Sequence, residues 1–159
     1  MRKNIAFTLA IMAVSHLSAQ KPFKRNTYYA EIGGNSIALA ANYERQLANK
    51  PGFGVHIGIG FGNRKPTIPL GVKYLFELGK KQRSFFETGA GMTMGAKYLW
   101  KAAHGRGTDK NPYEPGFIAS VGYRHHTRYG LLWRICYTPI FTSYRNIFYL
   151  GGISLGWRL

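Results

Sequence analysis

The last nine residues, Gly151 to Leu159, alternate without a break. Ile153, Leu155, Trp157 and Leu159 fall on one parity, and Gly152, Ser154, Gly156 and Arg158 on the other. Successive side chains of a strand point to opposite faces, so this stretch has one apolar face and one small or charged face. Phe53 to Gly62 repeats the pattern, with Phe53, Val55, Ile57, Ile59 and Phe61 against Gly54, His56, Gly58, Gly60 and Gly62. Aromatic ends around an aliphatic middle are the signature of a strand whose outer face meets lipid and whose aromatic rings sit at the two interfaces. An open sheet edge in hydrocarbon leaves backbone N–H and C=O groups unpaired, at several kcal/mol each, so such strands must close on one another.

The same period runs through the chain in eight stretches: Tyr28–Gly34, Ile37–Leu47, Phe53–Phe61, Thr67–Leu78, Ser84–Leu99, Gly116–His125, Tyr129–Phe141 and Ile147–Leu159. Turn-rich segments separate them. The expected fold is therefore all-β, an eight-stranded antiparallel up-and-down transmembrane β-barrel over residues 28–159. With both ends on the periplasmic side, the inner turns at Ala48–Gly52, Gly79–Gln82 and His126–Arg128 are short. The long Trp100–Pro115 segment is an outer loop. Short inner turns and longer outer loops are the usual asymmetry of such barrels.

Arg2 and Lys3 precede an apolar run from Ile5 to Val14 and a small-residue end at Leu17-Ser-Ala-Gln20. This reads as a secretory signal over residues 1–19, cut after Ala19. Residues 20–27 read as a polar periplasmic lead-in. No later segment is long and apolar enough for a transmembrane helix. The single cysteine, Cys136, excludes an internal disulfide.

Lys and Arg number 22 against six acids, a formal charge of +16. Such a balance suggests an anionic partner. The basic residues are spread along the chain without a nucleic-acid-binding motif, which favours a membrane surface over nucleic acid. Four of the acids, Glu31, Glu44, Glu77 and Glu87, fall on inward parity, as do Lys73, Lys97, Arg124, Arg134 and Arg158. An eight-stranded barrel is just wide enough for side chains to fill it, and unpaired buried charge is costly. The expectation is a plugged lumen laced by ion pairs. His56 is expected there as a hydrogen-bonded residue, with no cofactor and no metal. Arg64, Lys65, Lys101, Arg106 and Lys110 fall in or beside outer loops, either as contacts to lipid phosphates or as solvated loop charge.

Asn42-Tyr-Glu-Arg45, Thr67-Ile-Pro-Leu-Gly-Val-Lys-Tyr74, Val121-Gly-Tyr-Arg124, Arg134-Ile-Cys-Tyr-Thr-Pro139 and Gly152-Ile-Ser-Leu-Gly-Trp-Arg158 resemble the small outer-membrane β-barrel proteins of Bacteroidota-type bacteria. The resemblance spans most of the chain after the signal and carries no catalytic residues. It implies an outer-membrane location, insertion by the barrel-assembly machinery, contact with outer-membrane lipid, and a monomer with a structural or surface-interaction role. The usual terminal aromatic is replaced by Leu159, with Trp157 two residues before it.

Two alternatives remain at this point. Gly122-Tyr-Arg-His-His-Thr127 is similar to the His-x-Ser motif of lipid A deacylases, with Thr127 in place of the serine. No acid follows Glu114 to orient an imidazole, as a catalytic triad requires. A soluble lipocalin-like barrel, the second alternative, would turn the apolar faces inward and Glu31, Glu77 and Glu87 to water.

Overall fold

The computed structural model describes residues 23–36, 38–62, 65–79, 81–95, 116–141 and 147–159. The expected signal segment, Arg64, Lys97 and the expected outer loop Trp100–Pro115 with Lys101, Arg106 and Lys110 lie outside these residues.

The described strands are β1 (Asn26–Gly33), β2 (Leu39–Gln46), β3 (Phe53–Gly62), β4 (Lys65–Glu77), β5 (Ser84–Gly95), β6 (Gly116–His126), β7 (Leu131–Phe141) and β8 (Ile147–Arg158). Each pairs antiparallel with its sequence neighbour, and β8 returns to β1, giving a closed barrel. The seam runs from Thr27 opposite Arg158 to Gly33 opposite Gly152. Below it, the Leu159 N–H donates to the Asn26 carbonyl at 2.8 Å. The start of β1 and the end of β8 thus lie at one end of the barrel, here called the terminal end.

The two faces of the wall are separated as the alternation predicts. Ile57, Ile59, Ile153 and Leu155 are exposed on the outside, whereas Glu31 and Glu44 have 0% exposure and Glu87 has 1%. This sidedness overturns the lipocalin-like alternative, which needs the opposite arrangement. Aromatic rings gather on the outer face towards the terminal end. Tyr28 lies against Tyr43 at 5.0 Å, Phe53 against Tyr74 at 4.7 Å and Tyr123 against Trp133 at 5.3 Å between centroids. Rings with an apolar body and a polar edge suit the boundary between hydrocarbon and headgroups.

Several boundaries differ from the sequence reading, three of them at places that shape the lumen. Asn26 and Thr27 belong to β1, so the lead-in is shorter than residues 20–27. Its Phe23 is buried, packed with Leu75 and Phe85 inside the terminal mouth. β7 begins at Leu131, because Tyr129 and Gly130 form the turn, with Gly130 at φ 97°. β2 begins at Leu39, because Gly34–Ser36 forms a 3-10 turn. Gly33 and Gly34, at φ 76° and 63°, let the chain leave β1 and fold inward over the lumen. A side chain on Gly34 would also collide with the Glu31 carboxylate.

Candidate functional site: a charge network across the lumen

Seven strands send polar side chains to the middle of the lumen, with two from β1. Inward parity fixes that they point there, and register fixes their height. Glu44 on β2 receives both terminal nitrogens of Arg124 on β6, Nη1 to Oε1 and Nη2 to Oε2, each at 2.6 Å. This fork-to-fork geometry is the strongest pairing available between side chains. The same Arg124 Nη2 lies 2.5 Å from Glu87 on β5. Arg134 on β7 approaches Glu87 through Nε at 2.9 Å and Glu31 on β1 through Nη1 at 3.4 Å. Lys73 on β4 lies 3.4 Å from both Glu44 and Glu87. Its Nζ donates to the Tyr29 hydroxyl at 2.7 Å, and Ser154 on β8 accepts from Arg134 at 3.3 Å.

Three carboxylates therefore meet three cations, all with 0–1% exposure. The charges balance, which is what permits six ionised groups to be buried together. Glu87 touches all three cations by distance, yet neither of its oxygens has an aligned hydrogen bond among the described residues. It is held by charge, whereas Glu44 is held by directed bonds as well.

The lumen is closed differently at its two ends. At the terminal end, Phe23 meets Phe85 edge-on at 6.2 Å, and the Arg158 guanidinium lies 4.6 Å from the Phe23 ring. Arg158 also donates to His126 Nδ1 at 3.0 Å. At the far end, Asn35 of the 3-10 turn drops into the mouth. Its N–H donates to Glu31, its Nδ2 to His56 Nε2 at 3.3 Å, and its carbonyl accepts from Thr93 at 2.8 Å.

Of the predicted lumen residues, Glu31, Glu44, Glu87, Lys73, Arg124 and Arg134 come together. Glu77 does not. It has inward parity, but it ends β4 where that strand has run past its pairing with β3 and pairs only with β5, and it is exposed, accepting the Gln82 N–H across the turn at 2.9 Å. Its expected place in the network is corrected accordingly. Arg158 points inward but is only half-buried, and it meets an aromatic ring and a histidine in place of a carboxylate. Of the predicted phosphate contacts, only Lys65 lies in a described element, at the start of β4.

Sequence reasoning missed Tyr29, Asn35 and Phe23. Tyr29 sits beneath both Lys73 and Arg134, at 4.8 and 5.5 Å from its ring centroid. The phenol was visible on inward parity, and its cationic neighbours were not.

The His125-His126-Thr127 segment is split by the wall. His126 points into the mouth, whereas His125 faces outward, with its Nδ1 3.1 Å from Ser84 Oγ and its ring 5.7 Å from Trp133. The Tyr123 hydroxyl donates to the same Ser84 oxygen at 2.9 Å. Among the described residues, no three His, Cys, Asp or Glu side chains gather as a metal site.

No protein-family model matches the sequence, and no curated protein matches it. Solved structures do match in fold. A de novo designed transmembrane β-barrel aligns with a TM-score of 0.59 at 14% identity, over 88% of this chain and 98% of that one. The outer membrane protein Ail of Yersinia pestis, whose backbone structure is in a phospholipid bilayer nanodisc, aligns with a TM-score of 0.54 at 8% identity, over 86% of this chain and 99% of that one. The chain has the fold of a small transmembrane β-barrel. Its apolar exterior and salt-bridged interior fit that fold on physical grounds as well.

Proposed function

We propose that this is a monomeric outer-membrane barrel of the Bacteroidota type with a structural or surface-interaction role, no catalysis and no open pore. The observation that carries this reading is the balanced ion network across the lumen. A conducting pore needs a hydrated path, and here Arg124, Arg134 and Lys73 fill the lumen with their charges already paired, and the Tyr29 hydroxyl accepts from Lys73. In this reading residues 1–19 direct export and the barrel-assembly machinery reads the strand ending in Trp157 and Leu159. The terminal end faces the periplasm, and the Trp100–Pro115 loop faces outward as the surface for partners.

Heat-modifiable gel migration of protein extracted from outer membranes tests the location and the fold together. Planar-bilayer recording tests the plug, with stable conductance steps from wild type refuting it. Lipid A profiling of a deletion strain tests the absence of deacylation, and loss of a deacylated species on deletion would refute it.

A further inference from the structure

Among the described residues, the lipid-facing wall carries one charged side chain. Along all eight strands, the outward positions hold apolar, aromatic or small polar residues and His125, and the single Lys, Arg, Asp or Glu among them is Arg45 on β2. It is exposed, lies opposite Asn26 of β1, and its guanidinium makes no hydrogen bond or ion pair with the described residues. A cation on this face is costly at the bilayer midplane and tolerable only near the headgroups. Arg45 stands one residue from the end of β2, at the terminal end of the barrel.

Directly above Arg45 on the same face is Tyr43, and above that Ala41. The neighbouring column on β1 is Asn26, Tyr28 and Ala30, paired in register with them. The rings of Tyr28 and Tyr43 lie 5.0 Å apart, and the Tyr43 hydroxyl donates to Asn26 at 3.0 Å. Trp157 of β8 lies opposite Tyr28, and Leu155 opposite Ala30. Two alanines side by side among bulky residues leave a depression. It is an apolar groove of about 840 Å³ on the outer wall, lined by Ala30, Ala41, Tyr28, Tyr43, Leu155 and Trp157 among others.

Three tiers are thus stacked along one face: a cation, an aromatic row and an apolar hollow. Arg45 to Ala41 is four residues, about 13 Å along a strand. That order matches a phospholipid, whose phosphate, ester region and acyl chain follow one another over a comparable depth. The terminal rim supplies a field of the same sign, with Lys24, Lys50, Lys81 and Arg128 exposed there and Glu77 the one exposed acid among the described residues. We propose that the β1–β2 face holds one anionic phospholipid of the leaflet at the terminal end, its phosphodiester on Arg45 and an acyl chain in the Ala30–Ala41 groove. The proposal rests on the membrane reading above, which places that end in the periplasm.

The test uses the full barrel in nanodiscs of phosphatidylcholine and phosphatidylglycerol, three to one, released for native mass spectrometry. Wild type is expected to retain phosphatidylglycerol above its share of the bilayer. One cation near the surface contributes enough that Arg45→Gln should lower this preference about fivefold. Arg45→Lys should restore most of it, and Ala41→Phe should reduce retention of both lipids. Arg128→Gln, which removes a cation elsewhere on the rim, should leave the preference unchanged.

Equal retention by wild type and Arg45→Gln overturns the proposal. So does an equal drop with Arg128→Gln, which would assign the effect to the whole rim. A dimer cross-linked through Ala30→Cys or Ala41→Cys overturns it in favour of a second copy of the chain. Arg45 is exposed and unbonded, so its substitution leaves the barrel folded, and unchanged heat-modifiability confirms this in each sample. Wild type that does not insert at all would refute the membrane reading, a result distinct from insertion without lipid preference.

Discussion

Tyr123 and Arg124 are neighbours in β6 and occupy opposite solvents. Tyr123 faces outward, where its ring meets Trp133 and its hydroxyl meets Ser84. Arg124 faces inward, where it grips Glu44 and Glu87. The outer face asks only that a side chain be apolar at mid-depth or amphipathic at the rim, so many residues satisfy it. The inner face asks for a particular partner at a particular height, because a buried charge without one is far more costly than a poorly packed aliphatic. The same wall is therefore tolerant on one side and exacting on the other.

Substitutions on the two faces and at the two mouths sharpen or break this contrast. Arg124→Ala leaves Glu44 and Glu87 short of a cation and should destabilise the barrel by about 3–5 kcal/mol, read from urea unfolding in vesicles. Replacing Arg124 with Met and Glu44 with Leu together keeps the remaining charges at two and two, and should recover most of that loss. If the double variant is no better than the single one, the network contributes more than charge balance.

On the outer face, Ile57→Lys at the middle of β3 should cost about 2–4 kcal/mol in a bilayer. Ile57→Leu should be close to neutral. An equal cost for both would mean that the outer face is as exacting as the lumen.

Phe23→Ala removes the aromatic stopper from the terminal mouth and should cost about 1.5–3 kcal/mol, the free energy of burying such a side chain. A smaller value, together with unchanged protease sensitivity of the N-terminal segment, would show that Arg25 alone anchors it through the Gln46 and Leu47 carbonyls. The least effect is expected from Asn35→Ala, about 1 kcal/mol, since its backbone N–H and carbonyl bonds survive the change.

The strands and their sidedness were legible because a period of two is a local property. Val55, Ile57 and Ile59 declare their face within one strand, whatever lies across the barrel. Glu77 shows where that logic stops. Its parity is inward, but it stands at the rim where β4 has run past β3, and parity carries no information about height. Phe23 is the converse case: a lone aromatic in a basic segment has no periodic neighbours, so nothing local announces that it folds back into the mouth. Arg45 lay between Glu44 and Gln46 in a polar run, and its isolation became evident only once the outward columns of all eight strands stood side by side.

From the sequence alone came the strand count, the lipid-facing and inward sets, and the presence of opposite charges on the inner parity, all consequences of alternation and of the cost of charge in hydrocarbon. The tertiary structure decided which charges meet. Arg124 and Glu44 are 80 residues apart, and only the closed register of strands brings both to one level. It likewise decided that Phe23 stops one end and Asn35 the other, because chain that lies outside the strands is placed by the cavity it must fill.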